Sequence, residues 1–388
     1  MLQRLFIFLL IFLVLPDIYL YLRFIVKLTS KLWLRLLYWL PCFLLSSGLA
    51  YLTYFGNDPL AEKHTQGIGW FSIFFFLFTA PKLILAFFTF IGIPFHKWLR
   101  WPRTPFICTG LTLGVLCIIV IIYGSFIGRT QFDVKEVTYT SSRLPQAFEG
   151  YRIVQLSDIH IGSWQGNTSA IQKLVNLVNE QHPDLIVFTG DLVNHRAVEL
   201  EDFQKILASL KAKDGVYSIL GNHDYGPYFH WENGQKQAEN LLDLKQRKAT
   251  MGWKLLNNEH DILVQGNDSI ALIGVENEGE PPFSQHGDLP KAMQGTEGMF
   301  QILLSHNPTH WRREVLPQSN IDLMLAGHTH GMQMKLGDYS LASYIYPEWC
   351  GMYLEGSRGL YVNLGIGYVG LPFRFGAWPE ITVLTLRR

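Results

Sequence analysis

The chain of 388 residues reads as two unlike parts. An all-α transmembrane N-terminal region of four helices comes first, followed by an α/β domain built as a two-sheet sandwich flanked by helices (α/β/β/α). Three observations predict this. Apolar runs long enough to cross a hydrocarbon core fill the first third. After residue 150, short aliphatic runs alternate with amphipathic helical patterns, as they do where helices cover a sheet. Further on, such runs follow one another with no helix between them, which asks for a second sheet.

Composition sets the outer limits. At 48% hydrophobic and 14% aromatic residues the chain is far too apolar to be disordered. Its formal net charge of zero gives no reason to expect a nucleic-acid partner. Of the four cysteines, Cys42, Cys108 and Cys117 lie in apolar segments and Cys350 stands alone, so no disulfide framework can be read.

Residues 5–24, 32–55, 68–95 and 106–127 form the four expected spans, each meeting the need for about 20 apolar residues. Arg4 precedes the first run as it would in a signal peptide. No small-x-small cleavage site follows, and Pro16-Asp17-Ile18-Tyr19 continues into more apolar sequence, so the run counts as a span. Arg23, Lys27, Lys31 and Arg35 flank the first connection, and Lys97, Arg100 and Arg103 fill the third. The second, residues 57–66, sets Lys63 against Asp58 and Glu62. By the positive-inside rule the first and third connections face the cytoplasm. The expectation is a multi-pass protein of the plasma (inner) membrane whose downstream domain is extracytoplasmic; a cytoplasmic domain is the alternative. Asp17 and Lys82 lie inside spans, where a charge is costly and tends to face a partner. They are read either as a pair or as two residues lying separately near the interfaces.

The transmembrane region is assigned to residues 1–128, a linker to 129–149 and the second domain to 150–388. Residues 132–140 alternate as a strand does, and 141–150, with Pro145, read as the entry to the domain. Aliphatic runs at 153–156, 185–188, 216–220, 302–304 and 321–325 read as buried strands. A helix capped by Thr168 puts Ile171, Leu174, Val175 and Val178 on one face and ends before Pro183. Residues 201–210 repeat that pattern, and 238–251 do so more weakly. Shorter strands are expected at 253–256, 262–264, 270–275, 361–364 and 381–386.

Polar residues sit where the five aliphatic runs end. Ser157-Asp158-Ile159-His160 follows the first; Gly190-Asp191, Gly221-Asn222-His223-Asp224, Ser305-His306 and Gly327-His328-Thr329-His330 follow the others. Ligands bind at the C-terminal edge of open α/β sheets, so five distant segments can converge on one pocket. They bring Asp158, His160, Asp191, Asn222, His306, His328 and His330. Carboxylate, amide and imidazole together suit a borderline divalent ion such as manganese, iron or zinc. Seven ligands are too many for one ion that keeps open positions. A carboxylate shared by two ions is the economical arrangement, and Asp191, in the middle of the series, is the candidate bridge.

In order, D-x-H, G-D, G-N-H-D, a later H and G-H-T-H resemble the motif series of the calcineurin-like metallophosphoesterases, most closely their membrane-anchored bacterial branch. The resemblance starts near Gly150 and runs to the C-terminal end. Taken singly, each block has a plainer reading: Gly-Asp and Gly-Asn-His-Asp make ordinary turns, and a solitary His306 would more often be a hydrogen-bonded core residue. Five blocks in the family's order argue against that. The resemblance implies the same layered fold and two divalent ions, manganese first, with iron or zinc as alternatives. It gives Asp158, His160, Asp191 and His330 to one ion, and Asp191, Asn222, His306 and His328 to the other. It implies that His223 is not a ligand but meets and protonates the leaving oxygen, with Asp224 orienting it. Met332 departs from the family, where many relatives carry a second Gly; this bears on substrate fit more than on metal binding.

The expected activity is hydrolysis of a phosphomonoester or phosphodiester by metal-activated water. A lipid-linked ester is one candidate substrate, because the membrane concentrates it. The alternative is a membrane sensor or transporter with a regulatory or inert phosphoesterase domain. Among other polar residues, His195 is read as a solvent-facing loop residue. His230 and Trp231, and likewise Tyr344, Tyr346 and Trp349, are read either as cleft residues or as membrane-interface aromatics.

Overall fold

The structure is a computed structural model that describes residues 2–55 and 65–388. The chain divides into two compact units, residues 1–127 with 370–373, and residues 128–369 with 374–388.

In the first unit, backbone groups that would meet hydrocarbon must be satisfied within the segment, which favours helix. Helices α1 (Leu2–Leu20), α2 (Leu32–Phe55), α3 (Thr65–Leu99) and α4 (Thr104–Phe126) supply the four stretches long and apolar enough to cross a membrane. The first continues through a wide turn to Leu28, and the third reaches 33 residues with Pro81 and Pro94 inside it. The second connection, residues 57–66, lies outside the described residues except for Thr65 and Gln66. Helices α3 and α4 meet through small residues: Gly110 faces the backbone of Leu85, and Gly114, one turn on, faces Pro81. Without a hydrophobic force between helices in lipid, such close backbone approach is what holds them. Asp17 is fully buried, with Lys82 Nζ 2.7 Å from its Oδ1. Tyr38 donates its hydroxyl to the same oxygen at 3.0 Å, and its ring lies 5.5 Å from the Lys82 ammonium. The two intramembrane charges are therefore a pair.

The second unit holds twelve strands: β1 (Asp133–Thr140), β2 (Arg152–Leu156), β3 (Leu185–Phe188), β4 (Val216–Ser218), β5 (Trp253–Leu255), β6 (Glu259–Gln265), β7 (Asp268–Gly274), β8 (Phe300–Leu304), β9 (Leu323–Ala326), β10 (Gly351–Glu355), β11 (Arg358–Val362) and β12 (Glu380–Arg387). They form two six-stranded sheets, ordered β1-β12-β2-β3-β4-β5 and β10-β11-β9-β8-β7-β6. Ile153, Leu185, Val187 and Tyr217 of one sheet pack with Ile302, Leu304, Leu323 and Leu325 of the other. The outer faces are covered by helix α5 (Thr168–Asn179) on the first sheet and by Trp311 and Val315 on the second. Strands β2, β3, β8 and β9 are buried on both faces, which is why they read as mostly aliphatic runs, with Gln155 and Gln301 buried in two of them and hydrogen-bonded there.

Three expectations change. The stretch 129–149 is not a free linker: β1 pairs in parallel with β12 along its whole length, because its alternating side chains have a sheet edge to join. The expected helix at 201–210 shrinks to Gln204–Leu207. Asn179 ends it early, taking the Lys211 N–H on its Oδ1 and donating Nδ2 to the Ser209 carbonyl. The cap of α5 is Asn167, whose side chain accepts from the Ala170 N–H, rather than Thr168.

Lys82→Ala leaves the Asp17 carboxylate buried without its counter-charge, and is expected to destabilise the protein by about 3–5 kcal/mol. Asp17→Asn combined with Lys82→Met is expected to recover most of that loss. Thermal unfolding of the detergent-purified full chain checks both.

Candidate metal centre

Strands β2, β3 and β4 run parallel in one sheet and β8 and β9 run parallel in the other. All five expected polar blocks follow their ends. The backbone then reverses sharply: Asp158, His160, Asp191, His328 and His330 have φ of 51°, 47°, 59°, 73° and 51°. Side chains with a Cβ avoid this region at a cost of about 1–3 kcal/mol each, and such residues cluster at functional sites. Cross-strand bonds hold them there. Asp158 N–H donates to the Gly190 carbonyl, His160 N–H to that of Asp191, and Gly327 N–H to that of His306. Two glycines are required by close approach: a Cβ on Gly221 would strike the Asp191 carboxylate, and one on Gly327 would strike Ser157 and Asp158.

The seven expected ligands come together in two groups that share Asp191. In the first, His330 Nε2 lies 3.1 Å from His160 Nε2 and 3.4 Å from Asp158 Oδ1. His160 Nε2 is 3.7 Å from Asp191 Oδ2. In the second, His306 Nε2 lies 3.2 Å from the same Asp191 Oδ2, 3.1 Å from Asn222 Oδ1 and 3.2 Å from His328 Nδ1.

This donor set fits cations on the structure's own evidence. His306 Nδ1 lies 2.8 Å from the Thr189 carbonyl and so carries a proton, which turns Nε2 toward Asp191, Asn222 and His328. A proton on Nε2 or a bound cation would each offset the acceptors gathered there, and those acceptors are the donor types a divalent ion takes. Burial by itself lowers the His306 pKa, but Asp191, Asp158 and the Thr189 bond outweigh it and carry the imidazole up to about 9. Burial pushes the Asp158 carboxyl up to about 6, and its Oδ1 has no hydrogen-bond partner. Burial, then the charge of His306, brings His328 down to about 3, leaving it a free imidazole. Its Nε2 meets the Tyr346 hydroxyl at 3.0 Å, so Nδ1 is the atom turned inward. Asn222 is likewise aimed, with Nδ2 donating to the Tyr228 hydroxyl at 3.0 Å and Oδ1 facing His306.

His223 is half-buried at the edge of this cluster, its ring centroid 4.7 Å from that of His160. Its Nδ1 lies 2.8 Å from the Asn194 carbonyl, which leaves Nε2 as the ring nitrogen outside that bond. The expectation that Asp224 orients His223 is corrected. The Asp224 carboxylate is fully buried and accepts the N–H groups of Asp191, Leu192, Val193 and Gly221 instead. Lys248 Nζ, also fully buried, stands 3.6 Å from it. The family resemblance implied contact with His223, but the carboxylate is taken up by these loop amides and Lys248.

His195 is corrected too. It is half-buried, its ring 6.0 Å from that of His223, and burial lowers it to about 4. The ambiguous aromatics divide. Tyr346 touches His328, Trp349 is buried with its carbonyl accepting from Thr329 Oγ1, and Tyr344 is 75% exposed. Trp231 donates to the Gly226 carbonyl, His230 is exposed, and Tyr228 between His223 and Asn222 faces the site instead. Sequence reasoning missed Tyr228, Asn194 and Arg374. The Arg374 guanidinium is buried, bonds the carbonyls of Gly367, Ala377 and Leu364, and sets Nη2 3.0 Å from His330 Nδ1. A lone Arg in Pro-Phe-Arg-Phe-Gly carries no local signal of that contact.

Comparison with known proteins agrees with this geometry. Residues 151–332 match the family model described as calcineurin-like phosphoesterase, and residues 3–129 match that of a probable calcineurin-like phosphoesterase transmembrane domain. The chain is 31% identical over 283 residues to a transmembrane protein with metallophosphoesterase domain from Danio rerio, covering 71% of this chain and 62% of that protein. It is 32% identical over 280 residues to the uncharacterized metallophosphoesterase YkuE of Bacillus subtilis, covering 68% of this chain and 89% of that one. An uncharacterized metallophosphoesterase of Campylobacter jejuni matches over 96% of this chain and 95% of its own length at 27% identity. With the spans, the two sheets and the clustered donors already in place, the chain belongs to the calcineurin-like metallophosphoesterases, in a membrane-associated form.

Proposed function

We propose that this protein hydrolyses a phosphoester at a centre of two divalent ions. The observation that carries the reading is Asp191 Oδ2, which stands 3.7 Å from His160 Nε2 and 3.2 Å from His306 Nε2, between the two donor groups. Asp158, His160, Asp191 and His330 would hold one ion, and Asp191, Asn222, His306 and His328 the other. Manganese is the first candidate, with iron or zinc as alternatives, since imidazole and carboxylate suit all three. When bound, two such ions supply a water acidic enough to attack at neutral pH and offset the charge that builds on phosphorus. The neutral amide of Asn222 adds a ligand without an anion that would repel phosphate.

His223 meets the leaving oxygen in this reading. The Asn194 carbonyl accepts from Nδ1–H and fixes the ring, so the proton delivered to the leaving group sits on Nε2. Tyr228 and Tyr346 form polar walls beside it. The substrate is a phosphomonoester or phosphodiester, and a lipid-linked one is favoured by the four apolar helices that keep the domain at a membrane. The basic residues of the first and third connections favour an extracytoplasmic domain.

Metal-dependent phosphate release from a panel of phosphomonoesters, phosphodiesters and lipid phosphates, abolished in Asp191→Asn, is the direct test of the activity. His223→Ala is expected to keep both ions while kcat falls by about 10²–10⁴-fold; loss of metal in that variant would make His223 a ligand. Asn222→Ala and His306→Ala are each expected to lower the bound metal from two ions toward one, read by elemental analysis. A reporter fused after Arg388 is expected to be active only when it is one that works outside the cytoplasm.

A further inference from the structure

The loop that leaves the G-H-T-H block has a surface unlike the rest of its unit. Between residues 332 and 345, Met332, Met334, Leu336, Leu341, Tyr344 and Ile345 are 38–75% exposed. Tyr339 joins them, its hydroxyl donating to that of Tyr344 at 2.9 Å. So dense a run of exposed apolar side chains, interrupted only by small or polar residues such as Asp338 and Ser343, marks a binding surface rather than ordinary exposure. The backbone beneath is ordered and satisfied from within. Leu336 and Tyr339 exchange N–H and carbonyl bonds, Ser340 Oγ donates to the Gly331 carbonyl and accepts from the Ala342 N–H, and Met334 pairs with Phe375. Apolar side chains outward over a self-satisfied backbone is the pattern a segment needs in order to enter lipid. Tyrosines at its rim suit the interface.

Chain continuity says which lipid. Gly370–Phe373 belongs to the helical unit, where Gly69 near the start of α3 faces Gly370 and Pro372, and Gly124 near the end of α4 faces Phe373. The residues that flank this segment are the ones that bond the apolar loop. Val369 N–H donates to Gln333 Oε1, Phe375 N–H to the Gln333 carbonyl, and Lys335 N–H to the Phe375 carbonyl. The loop is thus bonded to Val369 and Phe375, which lie one and two positions along the chain from residues 370–373.

We infer that the 332–345 segment is immersed in the bilayer that holds the four helices, a surface for lipid rather than for a protein partner. Its two ends are site residues: His330 precedes it, and Tyr346, at 3.0 Å from His328 Nε2, follows it. Immersion therefore sets the candidate metal centre at headgroup level, where phosphoesters carried on lipid present their phosphate. This consequence deepens the phosphoesterase reading and rests on it; the immersion itself does not.

The test uses the full chain in lipid nanodiscs, with Cys42, Cys108, Cys117 and Cys350 replaced by Ser and a single cysteine introduced as Leu341→Cys or, separately, Ile345→Cys. Each is labelled with an environment-sensitive fluorophore, and Glu297→Cys, on an exposed turn, serves as reference. Labels at 341 and 345 are expected to be quenched several-fold more than the reference by nitroxide-bearing lipid, at the depth of about 5–10 Å typical of interfacial segments, and to be shielded from aqueous iodide. Lipid quenching no greater than at 297 overturns the inference. So does shielding from both quenchers, which means that a protein or a second copy covers the loop. Hydrolysis of soluble bis(p-nitrophenyl) phosphate, measured on the same samples, reports separately on catalysis.

Discussion

The Asp224 carboxylate is the tie on which the candidate centre depends. Four backbone N–H groups, from Asp191, Leu192, Val193 and Gly221, converge on its two oxygens. They belong to the loops after β3 and β4, so one buried anion locks together the backbones that carry Asp191, Asn222 and His223. Lys248, on the helix Gly234–Thr250, provides the opposite charge and donates to the Ile219 carbonyl as well. The arrangement explains how side chains at unfavourable backbone angles stay fixed: the loops bearing them are pinned from behind, away from solvent.

Much of this was legible in the sequence, for a physical reason. A strand buried on both faces must be mostly aliphatic, with any polar side chain bonded as Gln155 is, and the site residues come directly after such runs. Asp158, Asp191, Asn222, His306 and His328 could therefore be located by reading to the end of each one. The order of the blocks then joined them to a family. What could not be read was contact across the chain. Nothing in Gly-Asn-His-Asp says that the aspartate turns away from its histidine neighbour toward loop amides. Arg374 lies 44 residues from the histidine ring it braces, and no periodicity records that. Strand β10 was also missed, being a half-exposed edge whose pattern is too weak to stand out.

Backbone strain marks five of the seven candidate ligands, Asn222 and His306 being the two without it. His182 also has φ of 47° but sits in a turn after α5, ahead of β3 and outside all five blocks. At the centre, five such residues lie within a few bonds of one another and alternate with glycines that no side chain could replace. Strain of that density persists only where surrounding structure over-determines it. Here the two sheets do so, because each reversal is stitched to the neighbouring strand's own reversal.

The position of β12 has a consequence for how the domain comes into being. This strand, residues 380–387, lies between β1 and β2, parallel to the first and antiparallel to the second. The earliest two strands of the domain thus have no neighbour in common until residue 387 has been synthesised. Pairing over so long a loop is slow, since closure entropy is met before the contacts form. During translation β1 and β2 therefore wait apart until β12 arrives to lie between them.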